Sequence, residues 1–419
     1  MTTDLAEGRA TPSPDAARTA GLTKALLATI VLVSAIAPLA TDMYVPAFPQ
    51  VGVDLAASAT QVQLTLTMFF VGMALGQLVG GPVSDARGRR LPLLLALAVT
   101  TAASIVCAFA PTMPVMLAAR FVQGLAGGWA MVTARAVVVD LVSGPRLVRD
   151  LNLIAGVGGI APIVGPLIGA VILELSHWRV SFWVVAALGA AMFVAVLIGI
   201  PESLPAEKRR GGELTELAAA AKQVIANKTF VGYLVVMAFS MGITFAYVAT
   251  SAFILQSMNG LSPLLYGIDF AANAVGLTVA TLVASRLAGR VPTRTVIVVG
   301  LAASGASGLL LLVGALWLGT PLWLAVVAFF VLMSAQGLVG PNAGALASAA
   351  VPDHPGTGSA VLGFLQWVMA GVIAPLAGLG GEHTAVPMAV IVVILTVVSL
   401  MAHVLAARPG HARDVTGEA

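Results

Sequence analysis

Apolar runs of about twenty residues recur along the chain, parted by short breaks that carry charge, Pro-Gly or Ser/Asn. An α-helix needs about 20 largely apolar residues to cross a hydrocarbon core about 30 Å thick. Twelve runs qualify, at 22–48, 61–82, 91–110, 114–139, 151–174, 180–200, 229–255, 264–286, 293–317, 321–346, 357–380 and 385–407. The only long polar connection, "PESLPAEKRRGGELTELAAAAKQVIANK" at 201–228, divides them six and six. The pattern predicts an all-α membrane protein with twelve transmembrane helices in two six-helix bundles, 21–200 and 229–407, joined by a cytoplasmic linker at 201–228. Residues 1–20, polar and rich in Ala, Thr and Pro, read as a disordered tail, and 408–419 as a second tail. The first run is too long for a signal-peptide core and reads as an uncleaved span.

The two sets of six echo one another. Gly88-Arg89 after span 2 matches Gly289-Arg290 after span 8, at an offset of 201. Gln123-Gly124 in span 4 matches Gln336-Gly337 in span 10, at 213, and Gly165-Pro166 in span 5 matches Ala374-Pro375 in span 11, at 209. Matches in chain order predict pseudo-symmetric halves, an arrangement that places a binding site between them.

Composition agrees: 59% of residues are hydrophobic and 9% charged, against about 25% charged in soluble domains. The single cysteine, Cys107, rules out an intramolecular disulfide or a Cys-rich metal site and reads as a packing residue. Eighteen of the 21 Lys and Arg fall in the tails and even-numbered connections, while the odd-numbered ones hold only Arg179. Positive charge stays inside, so both termini are expected to be cytoplasmic and the chain to be a multi-pass plasma-membrane protein. A net charge of +3 says little about nucleic acid, and none is expected as a partner. No lysine follows a glycine, so there is no phosphate-cradling loop for ATP, and no histidine precedes a glutamate, so the His-Glu zinc motif is missing. Neither an enzyme nor a cofactor is indicated.

The second connection reads "GPVSDARGRR" at 81–90. Here the chain resembles the major facilitator superfamily, whose loop pattern is matched at Gly81, Asp85, Gly88, Arg89 and Arg90, with Ala86 where the family usually has Arg. The resemblance implies that Asp85 caps a helix end in the other half and that Arg89 pairs with Asp140 at the base of span 4. Together these contacts would latch the cytoplasmic side. "LAARFVQGLAGG" at 117–128 is similar to a second family pattern through Arg120, Gln123 and Gly124. "APIVGPLIGA" at 161–170 resembles the antiporter signature through Gly165, Pro166 and Gly169, with alanines at 161 and 170 in place of two glycines. Small residues there also serve close helix packing. "DMYVPAFP" at 42–49 is similar to the first-span signature of the bicyclomycin/chloramphenicol-resistance branch of drug–proton antiporters, as are "HWRVSFW" at 177–183 and "GTGSAVLGFLQ" at 356–366.

Asp42 is the residue on which function turns. A helix centred on Ile36 places it about 9 Å above the midplane, hence about 6 Å inside the outer edge. Arg120 lies about 9 Å below that edge on span 4, so opposite charges fall at matching depth, although depth does not show that they face each other. Pro46 and Pro49 free two backbone acceptors beside the carboxylate, which is tolerable next to water or polar partners. Asp42 either lines a cavity as a proton carrier or ends the helix at the surface; the family resemblance favours the first. A unit of pH is worth about 1.4 kcal/mol and 100 mV about 2.3 kcal/mol per charge, so one proton supports export against more than a tenfold gradient.

Asp269 on span 8 is either a cap or a secondary proton site. Arg135, about 31 Å along span 4, reads as a group that snorkels to the cytoplasmic edge. Tyr247 stands where Asp42 stands in the first half, at an offset of 205. Tyr44, Gln123, Phe245, Tyr247, Asn273, Gln336, Gln366 and Trp367 are candidate substrate contacts. The reading is a monomeric multidrug exporter in membrane lipid, with protons as coupling ions and phenicol or bicyclomycin-like drugs as the first small-molecule candidates. A sugar or amino-acid exporter or proton symporter of the same fold is the alternative.

Overall fold

The computed structural model describes residues 24–142, 144–209 and 221–406. The two tails and residues 210–220 of the linker lie outside the described residues. Twelve long helices follow in order: α1 Lys24–Asp42, α2 Ala59–Arg87, α3 Arg90–Phe109, α4 Met113–Leu141, α5 Gly144–Leu175, α6 Arg179–Gly199, α7 Lys228–Ala252, α8 Pro263–Leu287, α9 Thr293–Val313, α10 Leu322–Ala349, α11 Pro355–Ala377 and α12 Val386–Ala406. Among the described residues there is no strand. Eleven helices are long and apolar enough to cross a membrane, and α5 adds an apolar stretch at Gly159–Leu175. Local chemistry sets several starts: Ser58 and Gln61 form a reciprocal cap on α2, Asn227 caps α7, and Ser262 followed by Pro263 opens α8.

The first apolar run is not one helix. Past Asp42 the chain makes a tight turn at Val45–Ala47 and resumes as a short helix, Phe48–Asp54. Pro46 and Pro49 sit in the first turn of each new segment, where a missing N–H costs nothing. The span therefore reaches Asp54 rather than ending at 48.

Helix pairings repeat six helices apart. In the first half α2 packs on α4, α3 on α4 and α6, and α1 on α4, α5 and α6; in the second α8 packs on α10, α9 on α10 and α12, and α7 on α10, α11 and α12. The halves meet along α2–α11 and α5–α8, pairs that exchange under the same shift.

One face of the molecule carries the start of α1 and the end of α12; the other, the far face, is closed by bonds between halves. Thr60 donates to the Gly378 carbonyl (3.0 Å), Gln63 to that of Ala249 (2.9 Å) and Thr67 to that of Gly371 (2.8 Å). Gln256 donates to the Pro46 carbonyl (2.9 Å), and the Leu264 N–H donates to Glu174 (3.3 Å). Residues 60, 63 and 67 share one stripe of α2, so a single helix face grips the backbone of the opposite half.

Candidate functional site

Asp42 ends α1 and is 8% exposed. Its side chain makes no hydrogen bond or ion pair among the described residues. It packs on α5 at Gly165, where an added Cβ would collide with the Asp42 Cβ, and one turn on a Cβ at Gly169 would fall on the Met43 carbonyl. The adjoining side of α5, about 100° around the helix, presents Pro166 and Ala170 to Gly267 of α8. The small residues of 161–170 thus hold the carboxylate against the seam between the halves.

Arg120 is wholly buried and does not pair with Asp42. Its Nη1 donates to the Ala40 carbonyl (3.1 Å) and to Gln123 Oε1 (2.7 Å), and its guanidinium lies 4.3 Å from the Phe69 ring centroid and 5.0 Å from that of Tyr44. Its Nε and Nη2 have no partner. Equal depth fixed the height of the two charges, but α1 turns Asp42 toward α5 while Arg120 points into an aromatic box. Gln123 Nε2 donates onward to Ser104 (2.7 Å), and Thr65 donates to the Tyr44 hydroxyl (3.2 Å). Tyr44 and Gln123 therefore sit inside the first half and line neither cavity described below.

Across the seam, Asn273 donates both to Asp269 Oδ2 (2.9 Å) and to the Tyr247 hydroxyl (2.9 Å). Tyr266 shares a hydrogen bond with Ser251 (2.9 Å) and stands within electrostatic reach of both Asp42 and Asp269. Sequence reasoning missed Tyr266, although Tyr266, Asp269 and Asn273 recur at helical spacing on one stripe of an apolar helix.

Two cavities open between these networks and the terminus-bearing face. One, of about 340 Å³, runs between α7 and α10 and is lined by Met237, Ser240, Met241, Thr244, Gln336 and Gln366 among others. The second, of about 260 Å³, lies between α2 and α4 of one half and α11 of the other, with Gln77, Met131, Arg135, Phe364, Gln366 and Trp367 in its wall. Gln366 borders both. Trp367 stacks on Phe70 (5.5 Å), and Phe245 meets Phe70 edge-on (4.4 Å), so aromatic faces from both halves cap this space.

At the terminus-bearing face Arg89 Nε donates to Asp140 (2.9 Å) and Nη1 to Ser84 (2.7 Å) and Asp85. Burial disfavours the Arg89 charge, but the bonds to Asp140 and Asp85 outweigh it and hold the guanidinium above its ordinary range. Asp85 bonds within its own half and caps no helix of the other. Gly88 takes a positive φ of 89°, and the carboxylate of Glu202 fills the space where its Cβ would stand. Glu202 accepts from the Arg89 N–H (2.7 Å) and the Arg90 N–H (3.3 Å), capping α3. Arg90 donates to the Leu197 carbonyl (2.6 Å). Gly81 lies in open space on α2. The capping role of Glu202 carries no signal in the sequence, because Arg89 and Arg90 lie more than a hundred residues away from it.

The profile of the Major Facilitator Superfamily matches residues 30–375. The MFS-type transporter YdgK of Bacillus subtilis is 32% identical over 373 residues, covering 88% of this chain and 92% of that protein. The bicyclomycin resistance protein homolog of Haemophilus influenzae is 31% identical over 377 residues, covering 90% and 94%. Among solved structures, a bacterial homolog of the human lysosomal transporter Spinster, inward-facing and unoccupied, superposes with a TM-score of 0.72 at 14% identity, covering 94% of this chain and 97% of that one. The nucleoside transporter NupG gives 0.70 at 13%, covering 91% and 98%. At such identities the structures speak to the fold alone. The profile and the relatives span most of the chain, which belongs to the Major Facilitator Superfamily of small-molecule transporters.

Proposed function

We propose that the chain exports hydrophobic or amphipathic drugs by alternating access, driven by inward proton movement through Asp42. The observation that carries this reading is a buried carboxylate with no counter-ion among the described residues, packed on Gly165 of α5, the helix that meets α8 of the other half. An intramembrane acid without a partner is costly unless it works. The distribution of Lys and Arg favours a cytoplasmic terminus-bearing face, and on that orientation the closed far face supports an inward-facing conformer. Rocking about α2–α11 and α5–α8 would part the Thr60, Gln63 and Thr67 bonds and open the seam beside Asp42 to the outside. A proton taken up there and released after closure would return each cycle, with Arg120 as the fixed cation of the same half and Asp269 as a second acid across the seam. The name of the Haemophilus relative makes bicyclomycin-like compounds the first to try, and the resemblance at 42–49 adds phenicols.

The test is survival of a drug-hypersensitive bacterial host carrying the wild type or an equally expressed Asp42→Asn variant. Protection that the variant loses for an uncharged drug supports the reading. Equal protection by both removes Asp42 as carrier, and no protection across the panel favours a metabolite carrier of the same fold.

A further inference from the structure

The two acids of the seam lie away from both cavities; the charged group among the described residues lining them is Arg135. Its position on the terminus-bearing half of α4 suits snorkelling, but its side chain enters the wall of the 260 Å³ cavity between α2, α4 and α11. Arg135 makes no hydrogen bond or ion pair among the described residues. The same holds for the side chain of Gln366, and Gln77 spends its amide on a 4.0 Å contact with the Met131 sulfur. Three donor-bearing side chains, one permanently cationic, thus line one space, and two of them, Arg135 and Gln366, make no side-chain hydrogen bond among the described residues. The opposite wall is flat and aromatic, formed by Phe364 and by Trp367 backed by Phe70.

We propose that Arg135 is the charge filter of this transporter, so that the cavity takes compounds with an anionic head and a flat apolar body and rejects cations. This rests on the reading of the chain as an exporter with its cavity open to the cytoplasm. A guanidinium presents a planar fork to a carboxylate, sulfonate or phosphate and is less tightly hydrated than an ammonium. In a partly enclosed apolar site its attraction for an anion is stronger than in water. Among the described residues no acid borders either cavity to offset it, so a cationic drug meets repulsion and no partner. The aromatic wall supplies stacking for the body of the ligand.

The experiment is binding to the purified full chain in lipid nanodiscs, followed by equilibrium dialysis. Two permanently charged ligands of one ring system serve as probes, 2-naphthalenesulfonate and 2-naphthyltrimethylammonium. The wild type should bind the sulfonate about tenfold or more tightly than the ammonium, and Arg135→Gln should erase that ratio, since hydrogen bonds to a charged group carry effects of this size. Arg135→Lys should keep the preference for the anion while weakening it. Equal affinities in the wild type, a preference for the cation, no binding of either, or an unchanged ratio in a monodisperse Arg135→Gln protein would each overturn the proposal. Because binding needs no proton gradient, these outcomes are separate from the loss of export that would sink the exporter reading.

Discussion

Gln123 and Gln336 occupy matching places in the two halves and do the same thing in two chemical settings. Each donates through its amide to a serine one helix earlier in the pairing, Ser104 at 2.7 Å and Ser304 at 2.8 Å. In the first half the amide oxygen accepts from the Arg120 guanidinium; in the second it accepts from the Ser240 hydroxyl at 2.6 Å. At the offset of 213 that relates the glutamines, Arg120 corresponds to Met333, which is buried and apolar. At the offset of 205, Asp42 corresponds to Tyr247. The halves share the scaffold of the network, while the cation beside the glutamine appears in the first half only, and the acids of the two halves, Asp42 and Asp269, stand at non-matching positions. An apolar span tolerates a neutral hydroxyl or amide pair cheaply and a charge only with fixed partners. Around its glutamine the first half thus holds a buried cation, and the second half repeats the geometry with neutral groups, of which Ser240 and Gln336 line the 340 Å³ cavity.

The comparison breaks most sharply if both glutamines are removed in turn. Gln123→Leu leaves the buried Arg120 with one carbonyl partner and should cost about 2–3 kcal/mol. Gln336→Leu removes only neutral bonds and should cost about 1 kcal/mol or less. Thermal unfolding of the detergent-solubilised variants checks the order, and equal losses would mean that Arg120 does not lean on Gln123. A second contrast lies on the seam. Gly165→Ala places a methyl onto Asp42 and should cost about 1–3 kcal/mol by overpacking, with proton-driven export impaired. Its counterpart Ala374 already carries that methyl and is fully buried, so Ala374→Gly should change the melting temperature and export less than Gly165→Ala does. The smallest effect belongs to Tyr247→Phe, which removes a hydroxyl held by Asn273 at 2.9 Å. It should cost about 1 kcal/mol or less and leave gradient-driven export in place, whereas a loss of coupling would assign Tyr247 a part in proton transfer.

The twelve spans and their two-fold repeat were legible because apolar run length and recurring Gly, Gln and Pro positions are properties of consecutive residues. The break after Asp42 was not: the apolar run reads as one span over 22–48, and although Pro46 and Pro49 mark freed carbonyls, the helix ends at Asp42 and resumes at Phe48. The relation of Asp42 to Arg120 was not legible either. Rise per residue gives depth along a helix, but the direction of a side chain around it depends on where α1 unwinds and on which neighbour offers a glycine. That Tyr44 and Gln123 brace Arg120 depends on the packing of α1, α2, α3 and α4, which spacing within one helix does not carry. Depth along span 4 puts Arg135 at the cytoplasmic edge, and only the approach of α11 gives it a cavity wall.

The central claim is that one acid, Asp42, couples protons to export. Its direct test is purified protein in proteoliposomes, with an uncharged substrate drug followed with and without an imposed pH gradient. The wild type should concentrate the drug against its gradient only when the proton gradient is present. Asp42→Asn should still exchange labelled for unlabelled drug, yet should fail to concentrate it. Gradient-driven accumulation by Asp42→Asn at the wild-type level would contradict the account.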